Sequence, residues 1–152
     1  MVGLEKVMIY RFKMKGPLAS TVGSPLGERQ YWEMSEGILS GDGINARIAL
    51  PGGDWMLVGT DGYWRPDVRV QLVTDDDAII LLHYVGLVKP DEKFMQAAIN
   101  GLETQFDDQY LRQFMRFDTG VEKYAWLTQN LYLAEGRLAG SAEIEYQIYK
   151  IT

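Results

Sequence analysis

Asp54 is the residue whose type and neighbours most directly suggest chemistry. It follows Gly52 and Gly53 and precedes Trp55. A carboxylate held against an indole loses part of its hydration, which raises its pKa toward the range useful for proton transfer. The alternative is that Asp54 caps a turn formed by the two glycines while Trp55 anchors the next strand in the core. Asp54 is therefore a candidate catalytic residue, and Trp55 is a candidate wall of a binding site.

His83 is the second candidate catalytic residue, because it is the only histidine and its type ordinarily titrates near neutrality. In a strand of a barrel it could shuttle a proton or donate a hydrogen bond to a ligand carbonyl. The alternative is a structural histidine whose hydrogen bonds are satisfied within an apolar strand. A Ser-His-Asp triad is not indicated, since the chain has no Gly-x-Ser-x-Gly nucleophile elbow.

Arg69 and Arg112 are candidate anion-binding residues. A guanidinium group binds planar anions in a forked geometry, so either residue could receive a carboxylate, a phenolate or an enolate. The alternative is that they pair internally with Asp67 or Asp118 and hold the register of the strands. The acidic surplus of the chain makes such pairing easy.

Aromatic residues are spread along the whole chain and could wall a pocket for an aromatic or polyketide-like molecule. Apolar walls with a few placed polar groups are the usual composition of such sites. The alternative is ordinary core packing, which certainly accounts for some of them. The candidates for the wall are Trp32, Trp55, Trp64, Tyr84, Tyr110, Phe114, Trp126 and Tyr146.

The composition excludes several classes of site. The chain has 152 residues, no Cys, one His and a net charge of -6. Without Cys there is no disulfide framework, thiolate nucleophile or Cys-ligated metal, and one His does not build a multi-histidine zinc site. The acidic balance argues against nucleic-acid binding, which needs clustered Lys and Arg. We expect neither metal nor cofactor; the acidic run 75–77 lacks the spacing of an EF-hand loop and is expected to be a solvated turn.

No membrane or export segment is indicated by the sequence. The first 14 residues carry Glu5, Lys6, Arg11 and Lys13, so they lack the apolar core of a signal peptide. The longest nearly uncharged run, residues 78–88, is about half as long as a membrane helix. We therefore expect a soluble cytoplasmic protein that does not enter a membrane.

Short stretches of β-type alternation, separated by Gly, Asp and Pro clusters, recur along the chain. Residues 67–74 and 78–88 flank an acidic turn and predict an antiparallel hairpin. The second strand is apolar on both faces except at His83, which predicts cover on both sides. One short helix is predicted from Pro90 to about residue 102. The other predicted strands are 7–14, 32–39, 44–50, 55–59, 110–117, 128–135 and 142–151.

Eight or nine strands joined mostly by tight turns predict an all-β fold. An open antiparallel sheet exposes unpaired edge groups, and closing the sheet removes them. We therefore predict a single domain over residues 1–152, an antiparallel up-and-down β-barrel of about eight strands with one short helix in a connection. A barrel of this size either fills its lumen with side chains or holds one small ligand.

Several short patterns occur in a characteristic order and spacing between residues 25 and 130, within a resemblance that spans residues from about 7 to 150. They are Pro25-Leu26-Gly27-Glu28-Arg29, Pro51-Gly52-Gly53-Asp54-Trp55, Asp61-Gly62 with Asp67-Val68-Arg69, Thr74-Asp75-Asp76, Tyr110-Leu111-Arg112, Phe117-Asp118-Thr119, and Tyr124-Ala125-Trp126-Leu127 with Asn130. Together they resemble the DUF3237 (UPF0311) family of small bacterial and fungal proteins. The resemblance implies a lipocalin-like or allene-oxide-cyclase-like barrel, and Asn130 joins the candidate ligand-binding residues through it. It implies no activity, because barrels of this shape host both carriers and enzymes.

The sequence departs from the pattern of this family in two places. Asp77 stands where the family usually has Gly after the acidic turn, so the hairpin turn is expected to differ. The strand that follows is commonly rich in Arg and Asn, whereas here residues 82–85 are Leu-His-Tyr-Val. If that face lines a pocket, the pocket is more apolar and its ligand carries less negative charge.

Two functional hypotheses follow. In the first, the barrel binds a small hydrophobic or aromatic carbonyl or carboxylate compound without catalysis. In the second, it is a cofactor-independent isomerase, cyclase or lyase, in which Asp54 or His83 moves the proton and Arg69 or Arg112 stabilises the enolate. Homodimerisation through the outer face of residues 79–88 is also expected. The candidate ligand-binding residues are Trp55, Arg69, Tyr84, Tyr110, Arg112, Phe114, Trp126 and Asn130.

Overall fold

Eight long antiparallel strands close into a barrel in the computed structural model, which describes residues 1–17 and 19–152. Each long strand pairs with the next one along the chain, and the last pairs with the first, so the ring has no free edge. The predicted up-and-down barrel is confirmed. The strands are β1 (Leu4–Lys15), β2 (Glu28–Gly41), β3 (Ile44–Val58), the two-residue β4 (Trp64–Arg65), β5 (Asp67–Thr74), β6 (Ile79–Lys89), β7 (Tyr110–Asp118), β8 (Tyr132–Gly140) and β9 (Glu143–Ile151).

Strict alternation of side chains decides which residues form the core. On β6, Ile80, Leu82 and Tyr84 are buried, whereas the intervening Ile79 and Leu81 are about half exposed on the outer face. Successive side chains of a strand point to opposite faces, so each strand contributes one row to the lumen and one to the outer surface. The predicted cover on both faces of this strand is therefore absent from the single chain.

The chain from residue 44 to residue 58 is one strand, not two. The sequence predicted a break at Pro51–Gly52–Gly53, but β3 passes through it with two register shifts against β5. Such bulges accommodate a proline without an N–H and glycines that approach a neighbouring strand. A Cβ at Gly52 would collide with the carbonyl oxygen of Arg69.

The first register shift reverses the direction in which the side chains of β3 point, and the second restores it. Ile44, Ala46 and Ile48 point inward, Leu50 is 64% exposed outside, and Asp54 points inward again. Regular alternation along the predicted strand 44–50 would place Leu50 on the same face as Ile48, but the first bulge reverses the alternation. The second bulge restores it, so Asp54 faces the lumen rather than capping a turn.

Helical segments cover the two ends of the barrel. Helix α1 (Glu92–Ile99) confirms the predicted helix; its N-cap Asp91 accepts a hydrogen bond from the Phe94 backbone N–H at 2.7 Å. Phe94 is buried and contacts Trp64 edge-on at the end where β6 finishes. At the opposite end lie a 3-10 turn (Glu122–Tyr124) and α2 (Ala125–Thr128), whose Leu127 is fully buried. None of the helices in residues 1–17 and 19–152 has the length and apolarity needed to cross a bilayer.

The acidic turn between β5 and β6 is held by protein contacts. Asp77 adopts a left-handed φ of 65°, a conformation that Asp tolerates better than most residues. Asp76 accepts hydrogen bonds from the hydroxyls of Thr74 and Tyr124 at 2.6 Å and from Lys123 Nζ at 2.9 Å. The turn therefore ties the β5–β6 hairpin to the helical segment that closes this end.

Candidate functional site

The barrel keeps a cavity of about 330 Å³ at the end covered by α1. This volume lies at the small end of the range for ligand pockets. Its wall is built mainly from aromatic and methionine side chains. They include Phe12, Met14, Trp32, Met34, Met56, Trp64, Tyr84, Phe94 and Tyr146. The lumen is thus neither filled throughout nor open as a channel, since Tyr124 and Leu127 are buried at the other end.

Asp54 is the buried carboxylate of this cavity. Its side chain lines the wall, the residue is 5% exposed, and its Oδ1 accepts a hydrogen bond from the Asp67 backbone N–H at 3.0 Å. Burial raises the pKa of Asp54 to about 6; the backbone hydrogen bond opposes this rise and the nearby Asp67 charge adds to it. The carboxyl therefore changes protonation just below neutrality, where a group can both accept and return a proton.

Three tyrosine hydroxyls lie in the same interior as Asp54. Gln113 Nε2 donates to the Tyr146 hydroxyl at 3.1 Å, and the Tyr84 hydroxyl faces Met34 Sδ at 3.8 Å. In the described part of the chain, the Tyr10 hydroxyl and Gln113 Oε1 are buried without a hydrogen-bond partner. Burial raises the pKa of all three tyrosines, and the Asp54 charge further raises the pKa of Tyr84 and Tyr146. The hydroxyls stay protonated, and those of Tyr84 and Tyr146, the two tyrosines that line the cavity, can donate to a guest.

No described residue that lines the cavity is Arg, Lys or His. Glu143, at the mouth, already accepts a hydrogen bond from Arg11 Nε at 2.6 Å. The cavity thus offers one buried carboxylate and several hydroxyl donors inside apolar walls. Such a set can accept a hydrogen bond from a guest hydroxyl and donate to a guest carbonyl.

His83 and Arg69 lie on the outer face, away from Asp54. Leu82 and Tyr84 point inward, so the side chain of His83 points outward, and Arg69 lies directly opposite it on β5. His83 Nε2 lies 3.1 Å from Asp67 Oδ1, and its side chain is 41% exposed. His83 and Asp54 therefore do not share one cavity, because the side chain of His83 points out of the barrel and that of Asp54 points into it.

Arg112, Tyr110 and Phe114 also lie outside the barrel. The inward residues of β7 are Leu111 and Gln113, so the alternate positions face solvent. Arg112 Nη2 lies 3.6 Å from Glu135 Oε2, and its guanidinium group stacks over the Tyr110 ring at 5.2 Å. Arg112 therefore pairs internally, as one alternative held, but with Glu135 on β8 rather than with an aspartate.

Trp55, Trp126 and Asn130 have separate surroundings. Trp55 is 53% exposed on the outer face and contacts Tyr31, with ring centroids 4.9 Å apart. Trp126 lies in α2, at the end opposite the cavity. Its carbonyl oxygen accepts hydrogen bonds from Asn130 Nδ2 at 2.7 Å and from the Tyr132 hydroxyl at 3.1 Å. Asn130 thus fastens α2 to the start of β8. Of the candidate catalytic and ligand-binding residues, Asp54 and Tyr84 line the cavity. The wall candidates Trp32, Trp64 and Tyr146 line it as well.

Sequence reasoning missed Gln113 and Tyr10 as polar groups of the interior. The available signal was the alternate row of β7, in which Gln113 stands between Leu111 and Met115. A lone polar residue in an otherwise apolar row marks a group that must find a partner inside. The row of Arg112 attracted the functional interpretation because it mixes charges with aromatic residues.

Comparison with known proteins gives matches over nearly the whole chain. The model of the family DUF3237, described as a protein of unknown function, matches residues 2–151. UPF0311 protein CA_C3321 of Clostridium acetobutylicum is 25% identical over 150 residues, covering 97% of this chain and 93% of that protein.

Two solved structures share the fold. The conserved protein of unknown function RPA1785 from Rhodopseudomonas palustris has a TM-score of 0.88 at 19% identity, covering 100% of this chain and 99% of the other. A structure described as an enzyme from Penicillium herquei has a TM-score of 0.71 at 22% identity, covering 99% and 95%. At these identities the likeness shows the barrel architecture alone.

Proposed function

The chain belongs to the DUF3237 family, and from its lumen we propose that it binds one small, largely apolar and uncharged molecule inside the barrel. The observation that carries the proposal is the cavity of about 330 Å³, which has aromatic walls and the buried carboxylate of Asp54 but no lining cation in the described chain. Empty apolar space beside a buried polar group is typical of a ligand pocket.

The charge of the cavity selects against an anionic guest. A second carboxylate about 5 Å from ionised Asp54 would add ~3 kcal/mol of repulsion at an effective dielectric constant of about 20. Arg69 and Arg112, which the sequence offered as partners for an anion, point away from this space. The sequence suggests either a carbonyl or a carboxylate compound as the ligand, and of these two the uncharged carbonyl compounds fit the lumen.

The polar groups also set the orientation of the guest. Asp54 accepts a hydrogen bond from a guest hydroxyl, while Tyr84 and Tyr146 donate to a guest carbonyl or hydroxyl oxygen. The phenol ring of Tyr84 meets that of Tyr146 edge-on, with centroids 5.7 Å apart, which fixes both hydroxyls against the core. A phenol or a hydroxylated aromatic ketone satisfies these groups best.

Two naphthalene derivatives of nearly equal size test the proposal. At pH 8 we expect 2-naphthol to bind saturably, detected by quenching of tryptophan fluorescence and by calorimetry, and 2-naphthoate to bind at least about ten-fold more weakly. Asp54→Asn is expected to weaken 2-naphthol binding about ten-fold, because a hydrogen bond to a charged acceptor contributes about 1.5–3 kcal/mol.

Asp118→Asn is the matched control, since Asp118 lies exposed on the outer face of β7. The proposal is wrong if neither compound binds saturably, or if Asp118→Asn weakens binding as much as Asp54→Asn. Native mass spectrometry of freshly purified protein complements the titration, because a guest acquired during expression would appear as an added mass of one small molecule.

Proton transfer inside the lumen is the second candidate function. Asp54, with its pKa raised to about 6, is suited to remove a proton from a carbon next to a carbonyl group. The hydroxyls of Tyr84 and Tyr146, rather than Arg69 or Arg112, would then stabilise the enolate before the proton returns. The description of the similar Penicillium herquei protein as an enzyme agrees with this class of function.

Deuterium exchange separates the two functions. 2-Tetralone in D₂O is the probe, with exchange at the carbon next to its carbonyl followed by proton NMR. Catalysis predicts exchange about 10²-fold or more above buffer, lost in Asp54→Asn and retained in Asp118→Asn. Saturable binding of 2-tetralone without accelerated exchange would leave binding as the function and exclude proton transfer for this compound class.

A further inference from the structure

Gln113 is the one polar side chain in the inward row of β7, where its companions are Leu111, Met115 and Phe117. It is 1% exposed, and its Nε2 donates a hydrogen bond to the Tyr146 hydroxyl at 3.1 Å. Tyr146 lines the cavity, whereas Gln113 does not. Gln113 can therefore act on a guest through Tyr146 rather than by touching it.

Two glycines make room for this pair. Gly86 on β6 lies directly opposite Gln113, and Gly136 on β8 lies directly opposite Tyr146. A Cβ at Gly86 would collide with Gln113 Oε1 and with the Arg112 carbonyl oxygen, and a Cβ at Gly136 would lie 2.6 Å from Cε1 of the Tyr146 ring. A glycine inside a strand weakens it and often marks a place where another group approaches closely. The neighbouring strands thus hold both side chains in one arrangement.

The hydrogen bond from Gln113 determines which way the Tyr146 hydroxyl can donate. A phenol oxygen accepts hydrogen bonds and has one proton to donate. Within residues 1–17 and 19–152, Tyr146 accepts from Gln113 and no protein group accepts its proton. The Tyr84 hydroxyl, by contrast, already faces Met34 Sδ at 3.8 Å. An accepted hydrogen bond also polarises a hydroxyl and strengthens the bond that it donates.

We infer that Gln113 is a positioning residue that determines specificity: it directs the Tyr146 proton into the cavity, where it selects a guest with a carbonyl oxygen. The inference rests on the proposed binding in the lumen and narrows the ligand to a carbonyl compound. A carbonyl oxygen accepts a hydrogen bond and has none to donate, so it complements Tyr146. Ionised Asp54 is an acceptor too and does not compete for this proton donor's partner.

Two guests of the same shape test the selection. 2-Acetylnaphthalene carries a carbonyl oxygen where 2-isopropenylnaphthalene carries a methylene group. In fluorescence titrations, the wild type is expected to bind the ketone about five-fold more tightly, because a hydrogen bond contributes about 1 kcal/mol net. Tyr146→Phe is expected to reduce the ratio of the two affinities to about one, and Gln113→Met to about two.

The alkene reveals whether Gln113 acts on the shape of the cavity instead. Methionine has nearly the length and volume of glutamine, so Gln113→Met is expected to change the affinity for 2-isopropenylnaphthalene by less than about two-fold. Gln147→Met is the matched control. Gln147 follows Tyr146 in β9 but points outward, because Tyr146 and Ile148 point inward. It is expected to leave the affinity ratio as in the wild type.

Spectroscopy measures the two hydrogen bonds separately. Nitrogen–proton NMR of the side-chain amides needs no guest: the Gln113 signal is expected to move in Tyr146→Phe, which lacks the acceptor, and to stay in place in Gln147→Met. Infrared spectra of bound 2-acetylnaphthalene with an isotope-labelled carbonyl report the second bond. Its stretching frequency is expected to be lowest in the wild type, higher in Gln113→Met and highest in Tyr146→Phe, since a donated hydrogen bond weakens the C=O bond.

Three results would overturn the inference while leaving binding in the lumen intact. They are equal wild-type affinities for the ketone and the alkene, equal weakening of both guests by Gln113→Met, and a Gln113 amide signal that does not move in Tyr146→Phe. Failure of both guests and of 2-naphthol to bind the wild type would instead remove the proposed function, and the selection with it. Circular dichroism checks the folding of each variant; if Gln113→Met does not fold, the NMR and infrared comparison of the wild type with Tyr146→Phe decides.

Discussion

Leu82→Ala is expected to lower the free energy of unfolding by about 2–5 kcal/mol, the usual range for truncating a buried leucine. Leu82 is 1% exposed and faces the lumen, where the packed strands cannot collapse fully into the space that the lost side chain leaves. Leu81→Ala removes the same atoms from the next position of the strand. Because Leu81 is 49% exposed, its truncation is expected to change stability by less than about 1 kcal/mol.

Urea unfolding of the three proteins, monitored by tryptophan fluorescence and circular dichroism at one protein concentration, measures both effects. Equal losses for the two variants would contradict a closed barrel with one buried face per strand. A large loss for Leu81→Ala alone would mean that β6 is turned over, with Tyr84 outside. Neither result is compatible with a lumen built from the side chains described above.

The fold could be predicted from the sequence wherever the alternation is regular. Residues 67–74 and 78–88 gave both the strands and their pairing, since period-two patterning and an acidic turn together specify a hairpin. Prediction failed at Pro51–Gly53, because those residues ordinarily end strands and only the neighbouring β5 shows that they form paired bulges. Which side chains point inward after a bulge depends on how many residues the bulge inserts. That number is set by the pairing with the neighbouring strand, and the local sequence does not reveal it.

The candidate site could be predicted only in part for a related reason. Asp54, Tyr84 and the aromatic walls Trp32, Trp64 and Tyr146 were named from residue type, and the structure places them around one cavity. The row of Tyr110, Arg112 and Phe114 has the same mixture of aromatic and charged residues but lies on the outer face of β7. A pocket wall and an exposed strand face can share that composition, so residue type alone does not distinguish them.

The cytoplasmic location and the dimer expected from the sequence remain predictions. The sequence of β6 predicts an apolar pocket wall, and the inward side chains of this part of the strand are those of Leu82 and Tyr84. Leu82 and Tyr84 carry no charge, so β6 supplies no cationic neighbour to Asp54 in the described lumen.

Asp54→Asn is expected to become more stable relative to the wild type as the pH rises from 4 to 7. Burial raises the pKa of Asp54 to about 6 in the folded chain, whereas an exposed aspartate titrates near 3.9. Between these two values the unfolded chain has released the proton and the folded chain still holds it. The contribution of the Asp54 carboxyl to the stability of the wild type is therefore fully present below about pH 4. It is lost as the pH rises through 6, and the total loss is about 3 kcal/mol.

Urea unfolding at half-unit steps of pH gives this difference directly. Carboxylates whose pKa is lowered, such as Asp61 and Asp76, destabilise both proteins equally in acid, so their contribution cancels in the comparison. The amide that Asp54→Asn introduces keeps a side-chain oxygen that can accept the Asp67 backbone N–H, which limits the change to the ionisable group. Asp118→Asn is expected to show no comparable slope, and a flat difference for Asp54→Asn would mean that the wild-type carboxyl is hydrated in the folded chain.

The same titration links stability to the proposed ligand. A guest hydroxyl that donates to ionised Asp54 replaces the hydration that burial removed, so it stabilises the folded chain most where the carboxylate is charged. We expect 2-naphthol to raise the thermal midpoint of the wild type more at pH 8 than at pH 5, and to raise that of Asp54→Asn equally at both. An equal effect on the wild type at the two pH values would separate the guest from Asp54 and place it against the aromatic wall alone.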